Sequence, residues 1–184
     1  MEKRIIFLIA AAMFLIAGCG EKPIQDGLKI EYYKNGVKHF ERNFKNGKPN
    51  GIAKEYYENG NLKVVSNGKD GKRDGLTKAY YEDGTLEYEG TFKGGLAEGV
   101  AKIYYRNGKI KDEVNFKNGK ENGFNRRYYE NGNLEYEINF QNGEPNGSGR
   151  VYYENGNLKT EGIYKNGKIV QSSFYDTEGN SVPE

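Results

Sequence analysis

The side chains of this sequence that could do chemistry are few in kind. There is one cysteine, Cys19, and one histidine, His39, beside 16 Tyr and 26 Asp plus Glu. A lone thiol can be acylated or oxidised, but it forms no intrachain disulfide and no cysteine zinc cage. A lone imidazole supports neither a multi-histidine metal site nor a triad. His39 reads as a solvated strand residue, at a position where later segments carry Lys63 or Glu87. The carboxylates Glu89, Glu113, Glu137 and Glu161 recur in a column that could be imagined as acid–base pairs. Cations placed across from them would hold them ionised, which suits structure better than proton transfer. The tyrosines come in pairs. The first of each pair, Tyr56, Tyr80, Tyr104, Tyr128 and Tyr152, makes a stripe able to meet a protein or glycan. The sequence predicts no catalytic residue, no metal and no cofactor, and hence no enzyme.

The framework that must position these residues is thin in apolar material. Of 184 residues only 35% are hydrophobic, and 13 of them form one block, Ile5 to Ala17. Leu, Ile and Val are too sparse elsewhere for a two-layer α/β enzyme. Yet 26 Gly, 4 Pro and 14% aromatics are not the signature of disorder. A net charge of +2 with interspersed signs gives no general attraction for nucleic acid.

Residues 1–18 read as an export leader: a charged start, Glu2-Lys3-Arg4, then the apolar block. As a helix the block is about 20 Å long, short of the roughly 30 Å of a bilayer core. It is expected to be removed rather than to span. Leu15-Ile16-Ala17-Gly18-Cys19 resembles the lipobox of bacterial lipoproteins, with Ile at the third position before the cysteine as its one mild departure. The resemblance implies lipidation of Cys19 and a membrane-tethered, extracytoplasmic chain. Each acyl chain would contribute about 0.8 kcal/mol per buried methylene. Gly20, rather than Asp, points to the outer membrane by that family's sorting rule. Residues 19–29 would be a short tether.

From residue 30 to 180 one motif is copied. Tyr-Tyr occurs at 32–33, 56–57, 80–81, 104–105, 128–129 and 152–153, a period of 24 without slippage. A partial seventh copy from Phe174, with one extra residue, closes the array before the tail 181–184. A fixed period of this size signals supersecondary units that bury surface against their neighbours. The glycines Gly60, Gly84, Gly108, Gly132 and Gly156 keep the same period, four of them preceded by Asn and Gly84 by Asp. Asn-Gly favours a two-residue type I′ hairpin turn, in which both residues need positive φ. A second Gly-bearing turn, such as Asn118-Gly119, returns the chain.

That turn fixes a register. With Asn131-Gly132 as the loop, Arg126 faces Glu137; likewise Lys78 faces Glu89, Lys102 faces Glu113 and Arg150 faces Glu161. Each pair is worth roughly 0.2–1 kcal/mol. In the first copies Ile30 faces Glu41 and Lys54 faces Val65 instead. The same register sets the second tyrosines, such as Tyr57 and Tyr129, opposite Leu62 and Leu134, on an apolar face shared with Phe92, Phe116 and Phe140. The first tyrosines share the charged face and are expected to be wetter. The expected architecture is all-β: an elongated single-layer antiparallel sheet of six to seven tandem 24-residue hairpins and about twelve strands, preceded by the leader helix. Gly68, Val65 and Ser148 depart from their columns by losing chemistry.

The repeat seen best at 152–168, Tyr-Tyr-Glu-Asn-Gly-Asn-Leu-Lys with a following aromatic-Lys-Asn-Gly-Lys, resembles the variant class of MORN (membrane occupation and recognition nexus) repeats. Bacterial proteins of this build are often described as YwqK-like antitoxins. The resemblance implies an array of hairpins acting as a scaffold or as a protein- or lipid-contacting module. The leading expectation is a lipid-anchored, non-catalytic repeat protein with a protein or lipid partner at the cell envelope. A cell-wall or host-glycan binding module, and neutralisation of a toxin by an antitoxin or immunity-type protein, are the alternatives.

Overall fold

Alternation of apolar and polar residues between Gly-bearing turns commits the chain to strands, and short turns commit neighbouring strands to antiparallel pairing. The computed structural model describes residues 25–183. The leader, Cys19 and the first part of the tether lie outside them. Among the described residues fifteen strands form an open antiparallel sheet, three more than the twelve anticipated; fourteen follow one another in chain order, and the short ninth pairs with the eighth off that path. No helix among the described residues is long and apolar enough to cross a membrane.

The chain divides into two compact units, through Leu96 and from Ala97 onward. The first holds β1 (Gly27–Tyr32), β2 (Lys38–Lys45), β3 (Lys48–Tyr56), β4 (Leu62–Lys69), β5 (Lys72–Tyr80) and β6 (Leu86–Lys93). Apart from Leu96, the second holds β7 (Leu96–Tyr104), β8 (Ile110–Lys117), β9 (Lys120–Glu121), β10 (Gly123–Tyr128), β11 (Leu134–Gln141) and β12 (Glu144–Tyr152). It continues with β13 (Leu158–Lys165), β14 (Lys168–Tyr175) and β15 (Ser181–Val182).

Both kinds of turn form, but their types are exchanged relative to expectation. At Asn131-Gly132 only Gly132 has positive φ, at 99°. The Gly132 amide donates to Tyr129 O at 2.9 Å and the Tyr129 amide to Asn133 O at 2.8 Å. The loop is therefore three residues, Glu130-Asn131-Gly132, a type I turn closed by a glycine bulge. The type I′ geometry belongs to the other turn: Asn118 (φ 52°) and Gly119 (φ 76°) both lie in the left-handed region between the paired Lys117 and Lys120. Asn46, Asp70, Asn142 and Asn166 repeat it, each followed by glycine.

The charge register nevertheless stands: Arg126 pairs with Glu137, Lys78 with Glu89, Lys102 with Glu113 and Arg150 with Glu161. A second bulge restores it. Each strand after the three-residue loop carries one surplus residue (His39, Lys63, Glu87, Lys111, Glu135 or Lys159), which cancels the longer loop. Between loop and bulge the pairing is shifted by one. Leu62, Leu86, Ile110, Leu134 and Leu158 consequently face the first tyrosine of each pair, not the second.

One face is closed by its own side chains. In the first unit Phe44, Val64, Tyr88 and Phe92 are buried beside Ala53, Ser66, Thr77 and Ala79. In the second, Val114, Phe116 and Phe140 are buried with Ala101. Small residues leave room for the rings, which is how a face lacking long aliphatics reaches a dense interior. The last copy differs from expectation. Its loop, Thr177-Glu178-Gly179, has the usual length, closed by the Asp176 amide on Asn180 O at 2.9 Å. The irregularity lies in β14, eight residues long against nine in β12, so Tyr175 and Asp176 take the Tyr-Tyr positions.

Candidate functional site

The charged face is a lattice of phenols, carboxylates and cations. Glu41 receives the Tyr56 hydroxyl at 2.8 Å and the Lys38 ammonium at 2.5 Å, with Lys54 at 3.8 Å. In the second unit the Tyr128 hydroxyl donates to Glu113 at 3.1 Å, and Lys102 stands 3.7 Å from the same carboxylate. Arg126 bonds Glu137 at 2.5 Å, and Tyr175 donates to Glu161 at 3.0 Å. The hydrogen bond from Lys38, then that from Tyr56, holds the Glu41 carboxyl below its ordinary range. Burial, then the bond to Glu41, pushes the Tyr56 phenol up to about 12. The first tyrosines Tyr56, Tyr80, Tyr104, Tyr128 and Tyr152 are all half-buried, no wetter as a class than their neighbours in sequence.

The second tyrosines sit at the strand ends and join one copy to the next. In the first unit Tyr33 donates to Tyr56 O at 2.7 Å and Tyr57 to Tyr80 O at 2.8 Å. In the second, Tyr105 donates to Tyr128 O (2.7 Å), Tyr129 to Tyr152 O (2.9 Å) and Tyr153 to Tyr175 O (3.0 Å). The surplus residue of the bulge covers these rings. Lys63 lies over Tyr57 at 5.6 Å, Lys111 over Tyr105 at 5.6 Å and Lys159 over Tyr153 at 5.3 Å. His39 holds the equivalent place and stacks on Tyr33, centroids 4.1 Å apart, so it is half-buried rather than solvated. The loop asparagines add a parallel seam. Asn131 Oδ1 accepts from the Asn133 amide at 2.8 Å, while its Nδ2 donates to Glu154 O in the next loop at 3.0 Å. Gly60, Gly84, Gly108, Gly132 and Gly156 close these loops with positive φ, as their expected turn role requires.

The model of the MORN repeat variant matches residues 25–46, 49–70, 73–93, 97–118, 125–142 and 145–166, more than half of the chain. The chain belongs to the MORN repeat variant family. Each match runs over one hairpin, from about one two-residue turn to the next. No curated protein matches the chain. Among solved structures it is similar to one described as the crystal structure of TarM, at 12% identity and a TM-score of 0.29. That likeness covers 66% of this chain and 19% of that one, so the chain spans about a fifth of its length.

The MORN copies are not chemically identical on the buried face. At Gly68 the aromatic column is interrupted, and Arg73, directly opposite, fills the space. Its guanidinium lies 5.3 Å from the Phe92 centroid and is 5% exposed, and burial pulls its pKa down. Nearby, Lys63 bonds the buried Glu55 at 2.7 Å. In the second unit Arg127 bonds Asp112, itself 5% exposed, at 2.7 Å. These carboxylates are committed to cations, an arrangement that fixes neighbours rather than moves protons. No group of three or more metal-ligating side chains occurs among the described residues.

A further column obeys the same period, and only the structure shows that it is exposed. Leu28, Ile52 and Leu76 in the first unit are 54%, 51% and 45% exposed, and Val100 and Phe124 in the second are 48% and 37% exposed. From Ile52 on, each stands two residues before the cation of the ladder, hence on the charged face. Within each unit successive members are two strands apart, about 10 Å.

Proposed function

We propose that this MORN repeat protein is a lipid-anchored, non-catalytic binding protein of the bacterial cell envelope. It presents its charged face to a macromolecular partner. The observation that carries this reading is the exposed apolar column beside an ordered ladder of ions and phenols. Apolar side chains left in water at a fixed spacing within each unit, beside ordered polar groups, are what a partner-binding surface offers. The tether would begin at Cys19, consistent with the sequence that precedes it.

Two measurements test the parts separately. Metabolic labelling with an alkyne fatty acid is expected to mark the wild-type chain and not Cys19→Ser, which should leave the membrane fraction. An unlabelled wild-type chain overturns the anchoring. Photo-crosslinking residues at 52 and 76 in the first unit are expected to capture one and the same species in intact cells. Capture only from the turns, with none from this column, overturns the choice of face.

A further inference from the structure

The column of exposed apolar residues ends at one place. Where copies two to five carry Ile52, Leu76, Val100 and Phe124, the next carries Ser148. The loss opens a cleft of about 260 Å³ on the charged face of the second unit. Its rim is a small lattice set by the register. Ser148 pairs with Ile163 and Ile163 with Gln171 in one row; Arg150 pairs with Glu161 and Glu161 with Ser173 in the other. Gly149 and Gly162 lie between the rows and contribute no side chain.

We propose that this cleft binds a single neutral sugar ring, the terminal or exposed residue of a glycan. The volume is below the roughly 300–1,000 Å³ of sites for drug-sized ligands, which suits one ring and not a chain of them. The polar groups are matched to hydroxyls. Arg150 can only donate, the Glu161 carboxylate can only accept, and Ser148 and Gln171 can do both. A sugar hydroxyl, donor and acceptor at once, satisfies all of them. Arg150 and Glu161 are 3.6 Å apart and neutralise each other, so an ionic ligand of either sign meets a like charge. The Tyr175 hydroxyl, donating to Glu161 at 3.0 Å, orients that carboxylate from behind. Ile163, 39% exposed, supplies the apolar patch on which the C–H face of a ring can rest. Neither the Ser148 hydroxyl nor the Gln171 carboxamide has a hydrogen-bond partner among the described residues.

This site is separate from the apolar column that carries the proposed function, and it can fail without it. The test uses the full chain, isotope-labelled, titrated with a panel of methyl glycosides of neutral hexoses and N-acetylhexosamines. At least one is expected to shift the amide signals of 148–150, 161–163 and 171–173 and to leave those of 25–96 unmoved. Ser148→Phe restores the residue type found at 124 on the same strand position and fills the cleft. It is expected to abolish the shifts while the rest of the spectrum stays that of the wild type. Glu161→Gln should weaken binding at least tenfold and leave the cleft open. The proposal is overturned if no glycoside binds at millimolar concentration or if binding survives Ser148→Phe. It is equally overturned if free amino acids or inorganic phosphate shift these signals and glycosides do not.

Discussion

Gly68 and Arg73 show how a single residue can break a repeat without breaking the sheet. Elsewhere this position holds an aromatic, facing proline in two copies, Phe44 on Pro49 and Phe140 on Pro145, and Glu121 or Ile169 in two others. Here the missing ring is replaced by the arginine stem and guanidinium. Gly68→Phe alone should overpack the site and cost about 1–3 kcal/mol. Combined with Arg73→Ala it should recover much of that loss, giving a coupling of about 0.5–3 kcal/mol in a urea double-mutant cycle. Additive effects would show that the two residues do not share the space. Tyr105→Phe removes the hydroxyl that reaches Tyr128 O and is expected to lower stability by about 0.5–1.5 kcal/mol. The loss of Phe at 68 was legible in the sequence, but its replacement was not. Reading Arg73 as buried requires knowing which residue lies across the strand at a bulge, and cations are almost never expected inside.

At the scale of the element, the two turns separate what a dipeptide says from what it does. Asn-Gly predicts a type I′ turn at the hairpin loops, and Asn-Gly occupies both kinds of loop in the structure. Asn118 takes the left-handed conformation, whereas Asn131 keeps ordinary φ and spends its side chain on bonds to its own loop and the next. Proline tells them apart. Glu130→Pro sits at the position of a type I turn that favours proline and should be tolerated, or stabilise by about 0.4–1 kcal/mol. Asn118→Pro cannot reach φ 52° and should be strongly destabilising in the same thermal melt. Were the loop at 131–132 the two-residue type, Glu130→Pro would be as damaging as Asn118→Pro. The charge pairs make the register readable whichever turn type closes the loop, because the bulge beyond the loop returns the surplus residue. The phenol–leucine pairing lies inside that interval and therefore came out one place wrong.

Over the whole molecule, strand order, period and fold class were visible in the sequence, since a strict repeat of 24 fixes them together. The exposed apolar column obeyed that period too. It is not legible in the sequence alone, because isolated apolar residues on a strand look ordinary until their exposure is known. Phenols held partly or wholly out of water give the molecule an alkaline limit. Tyr56 and Tyr88 are pushed up to about 12 from an ordinary value of 10.0, both chiefly by burial. Between those values the folded state holds protons that the unfolded state releases, so the stabilising contribution is complete below pH 10 and lost as pH rises through 12. Urea midpoints should therefore fall across that window, with the rise of tyrosinate absorbance delayed in the folded chain.

Among the described residues strands bond to their neighbours in chain order, save that β8 also reaches β10 past the short β9, and this has a mechanical corollary. Tension on a chain end loads one rung of the ladder at a time, so the outermost hairpin peels before the next one feels the force. Each 24-residue period let go would pay out about 80 Å of backbone. A molecule of this kind would give way in even steps of slack, like a folded tape, and not in one rupture.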